Sequence, residues 1–218
     1  MLLLAFDTAT PAVTVALRGD EGVLAEHTEV DARRHGELLA PGIEKVLAAA
    51  GRARTDLTGV AVGVGPGPFT GLRVGLMTAC ALADALDIPV HGVCTLDILA
   101  AAVDAEQPFA VATDARRREV YWAVYDAAGR RESEPAVDRP AVIAERLAGY
   151  GVAGQGARLY AQEFPRALEP ELPSAAVLAE LTARLLREAP ETLLPPHPLY
   201  LRRPDAVEPG ARKAVTKV

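Results

Sequence analysis

Residues 2–7 read LLLAFD and residues 109–114 read FAVATD. Each is a short apolar run that stops at an aspartate, the pattern of a buried strand leaving a core. Outward from each run the same order unfolds. Asp7-Thr8-Ala9-Thr10-Pro11 breaks the first run, residues 12–18 resume as strand, Gly19-Asp20-Glu21-Gly22 turns, and residues 23–30 return. Asp114 breaks the second run, residues 119–125 resume as strand, and Ala127-Ala128-Gly129-Arg130 turns.

The rest of the first half fills in the unit. Leu38, Leu39, Ile43, Val46 and Leu47 recur at helical spacing up to Gly51, with Pro41 either kinking that helix or lying near its start. Residues 60–65 and 88–94 are apolar strands, and residues 72–86 and 96–103 are helices. In the second half, helices over 140–148 and 175–189 flank a glycine-rich segment, 149–156. A duplicated βββαβαβα unit marks the α/β, actin-like (sugar kinase/Hsp70-like) fold with two small lobes. The expected lobes are residues 1–103 and 104–218, with a Pro- and charge-rich tail after about residue 203 that shows no periodicity.

At 218 residues and 50% hydrophobic, the chain can bury a sizeable core. A net charge of −6 argues against a protein whose main task is coating nucleic acid or an anionic membrane, but leaves room for tRNA held with a partner. No apolar run approaches the length of a membrane span, and MLLLAF lacks the basic start of a signal peptide. The expectation is a cytoplasmic protein with Cys80 and Cys94 as buried free thiols.

Candidate chemistry is sparse. Residues 63–73, GVGPGPFTGLR, stand where a phosphate-binding loop would, but spell neither the P-loop nor the dinucleotide fingerprint. The stretch could offer a phosphate only backbone N–H groups, or it could be a rigid turn that aims the following helix. No glycine closely follows Asp7 or Asp114, as close backbone approach to a phosphate would require. The two aspartates could face each other across a cleft or cap their own strands. Gly154-Gln155-Gly156 could form an adenine-side turn. His27, His35, His91 and His197 show no i+4 metal pair, and Ser133 and Ser174 lie outside any nucleophile motif. His35 opens a helix, as a cap or interface residue does. Arg116-Arg117-Arg118 could meet phosphate, tRNA or an acidic partner, or be a solvated turn. No catalytic or metal-binding residue is assigned.

The helix after the glycine loop is more informative. Leu72, Leu76, Ala79, Ala83 and Leu86 line one face, while Val74, Met77, Cys80, Ala81 and Ala85 lie on others. Such a helix is buried on more than one side. The chain's own sheet covers one side, which leaves the other for a partner.

LLAFDTAT, HGELLAPGIEKVL, GVGPGPFTGLRVGL, PVHGVCTLDILA, ATDARRREVYWAVYD and PLYLRR resemble the bacterial TsaB (YeaZ) family, in blocks spread over residues 2 to 203. The resemblance implies an actin-like protein without catalysis or a cofactor of its own. Its partner would be a TsaD-like subunit that carries the metal and transfers threonylcarbamoyl to the tRNA adenosine beside the anticodon. A TsaE-like ATPase would assist, with ATP or ADP only in the assembled complex. Pairing, or homodimerisation in isolation, would use the helices of residues 35–50 and 70–86. The interface expected there comprises His35, Leu38, Leu39, Phe69, Thr70, Arg73, Val74, Met77 and Ala81, with Arg116, Arg117 and Arg118 as candidate tRNA or phosphate contacts. The competing expectation is an actin-like enzyme acting alone, a phosphotransferase or a metallopeptidase-like protein.

Overall fold

In a computed structural model, residues 1–202 are described. The expected tail lies outside them. The first half runs β1 (Leu3–Asp7), β2 (Ala12–Gly19), β3 (Gly22–Val30), α1 (His35–Ala49), β4 (Gly59–Gly63), α2 (Phe69–Leu86), β5 (Val90–Val93) and α3 (Thr95–Ala100). The second runs β6 (Phe109–Asp114), β7 (Val120–Tyr125), β8 (Ala136–Asp138), α4 (Pro140–Ile143), β9 (Gly151–Ala153), α5 (Gln155–Leu159), β10 (Ala167–Leu168) and α6 (Ala175–Glu188). Both halves follow βββαβαβα. Their sheets repeat too, as β3-β2-β1-β4-β5 and, read from the far edge, β8-β7-β6-β9-β10.

β1 is apolar throughout because both its faces are covered. Leu4 and Phe6 face α1 and α2, joining Val15, Leu39, Val46, Leu72 and Leu76 in one core. Leu3 and Ala5 face the other way, against Ile98 of α3 and Leu178 and Ala179 of α6. Thus α6, from the second half of the chain, crosses back to cover the first sheet. Its start is fixed there by Ser174, which donates to Glu26 Oε1 (2.7 Å), and by Ala175 N–H, which donates to Thr14 Oγ1 (2.9 Å). α3 is shared between the sheets, since Leu96 and Leu99 pack on Phe109 and Tyr125 of the second.

Several local expectations shift. α1 runs through Pro41, and α2 begins at Phe69. The helix expected over 140–148 shortens to α4, and the glycine-rich segment holds β9 and α5. α2 bears on the expectation about membrane spans by length and composition alone. Its 18 residues, with mean hydropathy 1.3, are long and apolar enough to cross one. In the fold, Leu72, Leu76, Ala79 and Ala83 are buried in the first lobe's core, while Arg73 and Asp84 are exposed.

Candidate functional site: the first acidic break and the outer face of helix α2

Asp7 ends β1 fully buried. Its Oδ1 accepts from Ala9 N–H (2.7 Å), and its Oδ2 accepts from the Thr95 hydroxyl (2.6 Å). Asp114 repeats the first of these bonds: its Oδ1 accepts from Arg116 N–H (2.8 Å), two residues on. Each aspartate thus closes its own strand end through a side-chain turn. Burial pushes the Asp7 carboxyl up, while the Thr95 and Ala9 hydrogen bonds and the nearby His35 pull the other way.

The glycine loop lies directly on this break. A Cβ at Gly67 would stand 2.3 Å from Ala9 O, and one at Gly71 would stand 2.5 Å from Thr8 O. Thr8 welds the contact, donating its hydroxyl to Gly71 O (2.7 Å) and accepting from Gly75 N–H (3.0 Å). Gly65 N–H reaches Thr95 Oγ1 (3.2 Å), which ties the loop to the buried Asp7. These glycines therefore admit the chain's own backbone, as a rigid turn that aims α2 would require. The second half copies the device. Cβ atoms at Gly154 and Gly156 would stand 2.4 and 2.8 Å from Ala112 O, so Gly154-Gln155-Gly156 launches α5 against β6.

α2 presents Phe69, Thr70, Arg73, Met77 and Ala81 outward, with Phe69 43% and Met77 63% exposed. Val74 is half-buried beside them, as is Leu38 of α1. Two expected interface residues are corrected. Leu39 is 1% exposed and belongs to the core, because α1 turns that side toward the sheet. His35 is also buried, and its Nε2 bonds Thr10 O (2.8 Å), pinning the start of α1 to the acidic break. A cavity of about 250 Å³ opens there, lined by Thr8, Thr10, Arg33, His35, Phe69 and Arg116 among others.

Arg116, Arg117 and Arg118 form the β6–β7 turn in three successive left-handed conformations (φ 61°, 56° and 61°). Only Arg116 reaches the cavity, and its guanidinium stands 3.4 Å from Asp114. Among the described residues no cluster of three or more His, Cys, Asp or Glu could hold a metal ion. A feature absent from the sequence reading is the contact of Tyr200 with α2. Its ring stacks on Phe69 at 5.4 Å, and its hydroxyl accepts from Arg73 Nε (3.0 Å). No local pattern could announce a contact across 127 positions.

Two matched sheets, each with a helix seated by glycines on backbone in or just after its first strand, define a duplicated actin-like protein. The profile describing TsaD, tRNA N6-adenosine threonylcarbamoyltransferase, matches residues 22–206. An uncharacterised protein of Mycobacterium tuberculosis is 46% identical over 207 residues, covering 94% of this chain and 93% of the relative. The tRNA threonylcarbamoyladenosine biosynthesis protein TsaB of Escherichia coli is 38% identical over 154 residues, or 67% of this chain and 66% of that protein. A Pseudomonas aeruginosa structure described as similar to peptidase YEAZ superposes with a TM-score of 0.78 at 35% identity, over 92% of this chain and 99% of that one. The chain belongs to the TsaB (YeaZ) family.

Proposed function

We propose that this chain acts in threonylcarbamoyladenosine modification of tRNA as a non-catalytic subunit that docks on and activates a TsaD-like enzyme. The names of its relatives support the pathway. The observation that carries the subunit role is the outer face of α2. A helix apolar enough to span a membrane leaves Met77 63% exposed, on a lobe whose own sheet already covers the opposite side. Such a face gains by burial against a partner. A TsaE-like ATPase completes the proposed assembly, and a second copy of the chain is the alternative cover in isolation. Arg116, Arg117 and Arg118 are proposed to meet tRNA phosphates in the complex, and any ATP or ADP belongs to that complex. The action is cytoplasmic in this proposal.

A second reading, an enzyme acting alone, draws on the transferase name of the matching profile and on the peptidase likeness of the Pseudomonas relative. The two are separated by assaying the purified chain for ATP hydrolysis and peptidase activity, then adding it to a TsaD-like partner with tRNA. The subunit role predicts no turnover alone and stimulation of the partner. Metal-dependent turnover by the chain alone, lost in Asp7→Ala, would overturn it.

A further inference from the structure

Residues 194–202 contain no helix and no named strand, yet they connect the two candidate surfaces. The segment starts on the first sheet's edge, where Leu194 and Gly92 exchange backbone hydrogen bonds (2.8 and 2.9 Å). It then crosses the glycine loop, with Leu199 N–H donating to Val64 O (2.8 Å). Leu199 packs on both the first lobe's core and the core beneath α3, and Leu201 on the latter. Tyr200 stacks on Phe69, whose ring also carries the Arg73 guanidinium at 3.8 Å. Arg202 donates to Ala115 O (3.0 Å) and pairs with Glu119, the two residues that bracket the arginine turn.

Both ends of this strap hold something that needs holding. Pro68 precedes α2 without a side-chain cap bond, and the helix's exposed first residue, Phe69, is steadied by Tyr200 and Arg73. The arginine turn keeps three non-glycine residues left-handed, a costly conformation that persists only where surroundings over-determine it. Arg202 adds to the bonds from Ala115 N–H to Glu119 O (2.9 Å) and from Glu119 N–H to Arg116 O (3.0 Å).

We propose that the strap is an interlobe clamp that sets the first turn of α2 and the β6–β7 turn in one fixed relation. Tyr200 and Arg202 are then positioning residues for partner docking. The docking part rests on the proposed role of α2; the clamp itself does not.

Amide hydrogen exchange on the full-length chain tests the clamp without a partner. Tyr200→Ala and Arg202→Ala should each melt cooperatively. Each should also speed exchange at both ends, at residues 72–75 and at Ala115 and Glu119, by roughly tenfold, as loss of local protection does. Purely local effects, Tyr200→Ala touching only α2 and Arg202→Ala only the turn, would overturn the clamp. If an alanine variant fails to fold, Tyr200→Phe and Arg202→Gln carry the same comparison in milder form. Binding to the TsaD-like partner should weaken roughly tenfold in both alanine variants, and Tyr200→Phe, which keeps the stack, should recover most of it. Unchanged affinity in these variants while Met77→Glu alone weakens binding would overturn the positioning role alone. Unchanged affinity with Met77→Glu as well would overturn the docking face and leave the clamp to the exchange data.

Discussion

Gly71→Ala should destabilise this protein although alanine is the better helix former. Gly71 sits in the first turn of α2, where replacing glycine by alanine ordinarily gains up to about 1 kcal/mol. Here the added methyl would stand 2.5 Å from Thr8 O and 3.3 Å from His35 Nε2. The first distance is about 0.8 Å short of an ordinary carbon–oxygen contact near 3.3 Å. The obstacle is backbone in a buried turn, so α2 must lift, and overpacking of this kind costs roughly 1–3 kcal/mol. Lifting also stretches the two hydrogen bonds of the Thr8 hydroxyl, at 2.7 and 3.0 Å, each contributing about 1 kcal/mol. Net of the propensity gain, about 2 kcal/mol of destabilisation remains, or roughly 4–8 °C in Tm for a chain of this size. Gly36→Ala is the matched control, since that methyl in the first turn of α1 would meet nothing within 4 Å. It should be neutral or stabilising. Thermal melts of both variants decide the matter. A Gly71→Ala protein that melts at or above wild type would refute the claim that these glycines exist for close backbone packing.

Two further outcomes follow from burial. Cys94 is 1% exposed and its thiol is pushed up to about 12, chiefly by burial, whereas Cys80 on α2 is half-buried. Iodoacetamide should therefore label Cys80 in the native protein and Cys94 only after denaturation, read by mass spectrometry; native labelling of Cys94 would contradict its placement. The Asp7 carboxyl is raised above 3.8, so the folded chain holds this proton more tightly than the unfolded chain does. Its contribution to stability is therefore greatest below 3.8 and falls as pH rises through the folded value. Asp7→Asn escapes that loss, and its stability relative to wild type should climb with pH over the same window in urea titrations. A difference that is flat with pH would show that the carboxyl is not desolvated.

Much of the architecture was legible because each half announces itself. The apolar runs ending on Asp7 and Asp114 are strands whose next bond is a side-chain turn, and that pairing needs only neighbours in sequence. The glycines of residues 63–73 signalled a tight approach, but what they approach, Thr8 and Ala9, is set by tertiary packing. The periodicity of α2 placed Leu72 and Leu76 inward and Met77 outward, as found. In α1 the apolar stripe is wide, and Leu38 and Leu39 are adjacent, so pattern alone could not say which one turns to the sheet. The return of α6 to the first sheet and the strap through Tyr200 were out of reach. Both depend on contacts between residues more than a hundred positions apart, such as Ser174 with Glu26 and Arg73 with Tyr200.

The central claim is that the outer face of α2 binds the partner, and Met77→Glu tests it most directly. Met77 is 63% exposed, so the free variant should melt like wild type, within the small range usual for surface changes. On docking, the new carboxylate would be desolvated against the partner, with Arg73, one turn before it, already held by the Tyr200 hydroxyl and the Phe69 ring. Disrupting a central interface position typically costs about 2 kcal/mol or more, which is roughly a thirtyfold loss of affinity. Calorimetric titration of the folded variant against a TsaD-like partner should show that loss, whereas wild-type affinity would contradict the assignment of this face.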